Sequence, residues 1–66
     1  MISYSPFWQQ LQELHISQYS LIHHHNISPS QLNRLKQNQP VSTETISLLC
    51  SILKCEVSDV MQFIAP

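Results

Sequence analysis

Apolar residues recur along the chain at helical spacings. Phe7, Leu11 and Leu14 stand four and three apart, which lines one face of a helix. Ser5-Pro6 in front of them supplies an N-cap and a first helical residue. A second stretch, about Gln18 to His25, opens behind Ser17, turns Leu21 and Ile22 inward and ends at Asn26. The sharpest helix start is Ser28-Pro29-Ser30-Gln31. Here Ser28 can cap, Pro29 fits the first helical position, and Gln31 can return a hydrogen bond to the cap as in a capping box. Leu32 and Leu35 make the inner face of this third helix, and Asn38-Gln39-Pro40 stops it. Ser42 caps a fourth, with Glu44 in the first turn, Ile46, Leu49, Cys50 and Leu53 as the apolar stripe, and Lys54 near the end. Ser58-Asp59 begins a short fifth helix carrying Val60, Met61 and Ile64. No stretch alternates with the period of a strand, so the pattern predicts an all-α, compact five-helix domain over residues 1–66.

Composition narrows the picture. With 66 residues, 42% hydrophobic and 11% charged, the chain can fold but cannot enclose a large catalytic cleft. No nucleophile, base and orienting group fall in a recognisable arrangement, so an enzyme is not expected. The absence of glycine assigns left-handed backbone positions to asparagine, the next most tolerant residue, and so the asparagines should mark turns. Cys50 and Cys55 lack the C-x-x-C spacing of zinc or dithiol redox sites. On one helix they would diverge by about 140°, and both are therefore expected as small apolar core residues rather than a disulfide. His23, His24 and His25 are consecutive, so their side chains splay and cannot converge on one metal ion. His25 is expected half-buried and the other two outward. No metal, cofactor or small-molecule ligand is expected. Tyr4, Phe7, Trp8, Tyr19 and Phe63 are more than so small a core encloses easily: either Phe7 and Phe63 close it with Trp8 partly exposed, or some of the five form an apolar association patch near the termini. Apolar runs are too short for a membrane span or the apolar core of a secretory signal, so a soluble, intracellular protein is expected.

The third helix carries the candidate chemistry. At about 100° per residue from Pro29, the two leucines fall at about 240° and 300°, whereas Asn33, Gln37, Ser30 and Arg34 lie between about 40° and 140°. The outward face thus offers amide, hydroxyl and guanidinium groups, the inventory that reads base edges in a major groove. A solvated surface has the same polarity. What distinguishes this face is its setting: two short helices, joined by a turn of about three residues with an asparagine at its start, have helix-turn-helix proportions.

The stretch from Ile16 to Asn38, with Gln18, Leu21, Ile27, Leu32 and Leu35 at matching positions, resembles the helix-turn-helix of lambda-repressor-like, Cro-type regulators. Val41–Ile46, Leu49-Cys50, Ile52–Cys55 and Asp59–Met61 are similar to that family's last two helices, so the resemblance spans about Phe7 to Ile64. It implies a lambda-repressor-like domain whose helix-turn-helix unit covers about residues 18–37. It also implies a small cytoplasmic transcriptional regulator, bacterial or phage-encoded, that binds double-stranded DNA sequence-specifically with recognition helix 29–37 in the major groove. By the same resemblance, Pro29, Ser30, Asn33 and Arg34 face bases, and Gln18, Ser28, Lys36 and Gln37 contact phosphates. The sequence departs from the pattern at four places. Asn26 replaces the usual turn glycine, Ile22 a common alanine, His25 a frequent aliphatic residue, and Pro29 a residue with a side-chain donor.

Charge argues the other way. Three Lys/Arg against four Asp/Glu give a net charge of −1, where a DNA binder is expected to be basic. Location softens the objection, since Arg34 and Lys36 lie in the two-helix unit and Glu13, Glu44, Glu56 and Asp59 lie outside it. With so few cations one copy should bind weakly, and a homodimer reading two half-sites would supply the missing affinity. The alternative is a protein-interaction module of the same fold, antitoxin-like or antirepressor-like, that does not read DNA.

Overall fold

The computed structural model describes residues 1–66. Four helices form the body: α1 (Ser5–Glu13), α2 (Gln18–His25), α3 (Pro29–Lys36) and α4 (Thr43–Leu53). The expected fifth helix is not formed. In its place a single 3₁₀ turn, Val57–Asp59, leads into a short strand, β2 (Gln62–Phe63). That strand pairs antiparallel with β1 (Ile2–Ser3), Ile2 opposite Phe63 and Ser3 opposite Gln62. Met1 and Ile64 extend the ladder, with Ile64 N–H donating to the Met1 carbonyl at 2.7 Å and the terminal ammonium to the Ile64 carbonyl at 2.9 Å. The chain termini are thus tied together.

Serine starts three of the four helices. Ser17, Ser28 and Ser42 each lie in extended backbone and accept the N–H of the residue three places on, at 3.1, 3.2 and 3.2 Å. Each such cap contributes about 1 kcal/mol relative to alanine. The first helix starts differently from expectation. Ser5 is its first residue rather than its cap, and the buried Ser3 hydroxyl accepts the Ser5 N–H at 3.2 Å. Gln31 does not close a capping box; its Oε1 accepts from the Thr45 hydroxyl at 3.3 Å and so joins α3 to α4.

The helices stop through residues with positive φ: His15, Asn26, Asn38 and Lys54. Two are asparagines, as expected in a chain without glycine, but the third asparagine, Asn33, lies inside α3, and His15 and Lys54 occupy the left-handed region without glycine's freedom. After three of these four residues the next N–H reaches back five residues: Ile16 to Leu11 at 3.0 Å, Gln39 to Arg34 at 2.9 Å, Cys55 to Cys50 at 3.1 Å. This is the Schellman closure, which satisfies carbonyls that the helix end leaves open.

One core unites the four helices. Phe7 and Leu11 of α1, Leu21 of α2, Ile27 of the turn, Leu32 and Leu35 of α3, Ile46, Leu49 and Leu53 of α4, and Tyr4 and Val60 form its buried cluster. Leu14, expected on the stripe of α1, is 50% exposed because the helix has already ended at Glu13. Phe63 does not close the core and is 69% exposed on the terminal ribbon. Trp8 packs at the core margin, edge-on to Phe7, and its indole N–H donates to the Leu35 carbonyl at 3.4 Å.

Candidate nucleic-acid interface

The outward face of α3 is free. Leu32 and Leu35 are buried, whereas Pro29, Ser30, Asn33, Arg34, Lys36 and Gln37 are all exposed. The local cause is the start of the helix. Asn26 takes the left-handed conformation (φ 60°, ψ 29°), which reverses the chain after α2 and buries Ile27. Ser28 then caps and Pro29 occupies the first turn. The helix enters with its leucine pair held in the core and its amide and hydroxyl groups to solvent.

Polar contacts within the face are few and long. Asn33 Oδ1 accepts from Gln37 Nε2 at 3.5 Å, the Ser28 and Ser30 hydroxyls lie 3.3 Å apart, and the Arg34 guanidinium donates to the Pro40 carbonyl at 3.4 Å. At exposed positions such bonds are exchanged readily for others, because water competes for each partner. Arg34 thus has a resting contact on its own loop.

Pro29, Ser30, Asn33 and Arg34, expected to face bases, and Ser28, Lys36 and Gln37, expected to meet phosphate, all lie on or at the ends of one helix. Gln18 is exposed in the first turn of α2. His25 is exposed rather than half-buried, because α2 buries only Leu21 with Ile22 on its flank. His23 is exposed too and packs against Tyr19, ring centroids 4.2 Å apart, so the exposed Tyr19 adds an aromatic surface on α2. No group of three His, Cys, Asp or Glu side chains is arranged to hold a metal ion.

Residues outside the two-helix unit fix the far end of α3. Asn38 Oδ1 accepts the Tyr4 N–H at 3.0 Å, the Tyr4 hydroxyl donates to the Gln39 carbonyl at 3.0 Å, and Trp8 holds the Leu35 carbonyl. The N-terminal segment thus clamps the loop behind the helix.

A four-helix body with a capped, outward-facing third helix after a left-handed turn defines a helix-turn-helix protein. The model of the Cro/C1-type helix-turn-helix DNA-binding domain matches residues 7–66, and the chain belongs to that family. Among solved structures, the chain is similar to the transcriptional regulator VanUg in crystal form II, with a TM-score of 0.88, 23% identity, and coverage of 98% of this chain and 87% of that one. No curated protein matches the chain. No helix is long and apolar enough to cross a membrane.

Proposed function

We propose that this protein is a sequence-specific DNA-binding transcriptional regulator that places α3 in the major groove. The observation that carries the reading is the exposed, neutral-polar face of α3 behind a capped left-handed turn. Arg34 leaves the Pro40 carbonyl for a guanine edge, and Asn33 leaves Gln37 for an adenine edge, each trading a weak internal bond for a bidentate one. Ser30 and the backbone around Pro29 lie closest to the bases at the helix start, while Gln18, Ser28, Lys36 and Gln37 meet the phosphates on either side. Family membership and the likeness to a transcriptional regulator support the same reading.

The modest charge sets the mechanism. Two cations on α3 release few counterions, so one copy binds weakly, and two copies over two half-sites supply the affinity. Bound protein acts by occupancy, and no step of it requires catalysis. The exposed apolar residues Met1, Ile2, Phe63 and Ile64 on the terminal ribbon favour the second reading, a protein-interaction module of the same fold.

Selection of bound duplexes from a random pool tests the reading, followed by mobility shift on the recovered site with Arg34→Ala. A symmetric site is expected, with affinity in the variant reduced by about 1–3 kcal/mol, roughly 5–150-fold. Recovery of no site at low salt would favour the interaction module, and unchanged binding by the variant would reject the assigned face.

A further inference from the structure

Cys50 and Cys55 would diverge if both lay on one helix, but α4 ends between them. Leu53 is its last residue, and Lys54 takes the left-handed conformation (φ 52°, ψ 52°), which folds the chain back on the helix end. The Cys55 N–H donates to the Cys50 carbonyl at 3.1 Å. In a Schellman closure the side chains of the two residues joined by this bond frequently touch through an apolar contact. At the end of α1 that pair is Leu11 and Ile16; at the end of α4 both members are cysteine. The two thiols are free and half-buried, and both pack against the core. A backbone-bonded pair brings its Cα atoms into the range of roughly 4.4–6.8 Å that disulfides require.

We propose that Cys50 and Cys55 form an oxidisable dithiol that closes to an intramolecular disulfide across the C-terminal cap of α4. The oxidant is hydrogen peroxide. One sulfur attacks the peroxide, breaking its O–O bond, and becomes a sulfenic acid as one water leaves. The second sulfur then displaces the sulfenic hydroxyl, forming the S–S bond, and its proton departs with that hydroxyl as a second water. Two electrons pass from the thiols to the peroxide. Thiol reductants reverse the step by exchange. Burial pushes the Cys55 thiol above its ordinary value, with the neighbouring Cys50 next in effect and Asp59 and Glu56 adding their negative charge. The pair therefore rests as thiols near neutral pH and reacts only under oxidant. A bridge here staples the turn at Lys54 that leads into the 3₁₀ segment and the buried Val60, and lies outside α3.

Intact mass spectrometry of the full chain treated with hydrogen peroxide tests the proposal. The expected product is a monomer about 2 Da lighter, closed to maleimide, restored by dithiothreitol, and melting several degrees above the reduced chain. Cys50→Ser and Cys55→Ser should each lose the 2 Da change. Retention of both thiols under excess peroxide, sulfinic or sulfonic acid at either cysteine without ring closure, a covalent dimer, or an oxidised monomer melting no higher than the reduced one would each overturn it, with peptide mapping separating these from the roughly 16 Da sulfoxides of Met1 and Met61. The wild-type mass measurement decides the matter even if either serine variant fails to fold.

Discussion

Asn38 carries two separable loads, and a substitution series distinguishes them. Its backbone holds a positive φ of 54°, and its side chain accepts the Tyr4 N–H at 3.0 Å in a partly buried contact. Asn38→Gly keeps the backbone conformation and removes the acceptor. Leaving that donor unpaired, together with glycine's greater freedom in the unfolded chain, should cost about 1–2 kcal/mol. Asn38→Ala loses the acceptor as well and lacks asparagine's tolerance of left-handed backbone, which adds about 1 kcal/mol, for a total of about 2–3 kcal/mol. Asn38→Asp retains both an acceptor and tolerance of the turn and should stay close to the parent. A domain of this size has about 3–10 kcal/mol of stability in all, so the alanine variant should be visibly weakened. Urea unfolding followed by Trp8 fluorescence and far-UV circular dichroism measures the series. Equal stability of the glycine variant and the parent would refute the role of the side-chain bond. Equal stability of the glycine and alanine variants would refute the cost assigned to the turn.

Two further outcomes follow from the helix ends. Ser28→Ala removes the acceptor for the Gln31 N–H at the start of α3 and should lower stability by about 1 kcal/mol in the same urea assay, with DNA affinity falling as the first turn frays. For Cys55, burial raises the thiol above its ordinary 9.0 in the folded chain, so the unfolded chain ionises first as pH rises. Its contribution to stability is full below the unfolded thiol's range and is lost as pH climbs through the folded value. Urea midpoints between pH 7.5 and 10 should therefore fall more steeply for the parent under reducing conditions than for Cys55→Ala; parallel curves would reject the assignment.

Local signals were legible where the physics is local. The three serine caps, the proline in the first turn of α3 and the leucine pair behind its polar face all act within four residues, and the chain spells them out. Asn26 and Asn38 were readable for the same reason, since a chain without glycine leaves few residues suited to positive φ. His15 and Lys54 were not, because nothing in their chemistry asks for that conformation. It is imposed by the return of Ile16 and Cys55 onto the core at the helix ends.

The amino-acid sequence by itself determined four amphipathic helices, the capped starts of three of them, and an outward face on α3 able to hydrogen-bond, while the fifth helix that the same pattern suggested does not form. Tertiary structure alone decided the ends of the chain. A two-residue strand has no stability outside its ladder, so Ile2–Ser3 and Gln62–Phe63 exist only because the fold brings the termini together, which in turn leaves Phe63 in solvent. It also decided that Tyr4 and Trp8 hold the far end of α3, and that Cys55 is bonded through its backbone to Cys50 across a helix cap. Those contacts join residues whose proximity depends on where the chain turns, and a turn forced by packing leaves no mark in the spacing of the residues around it.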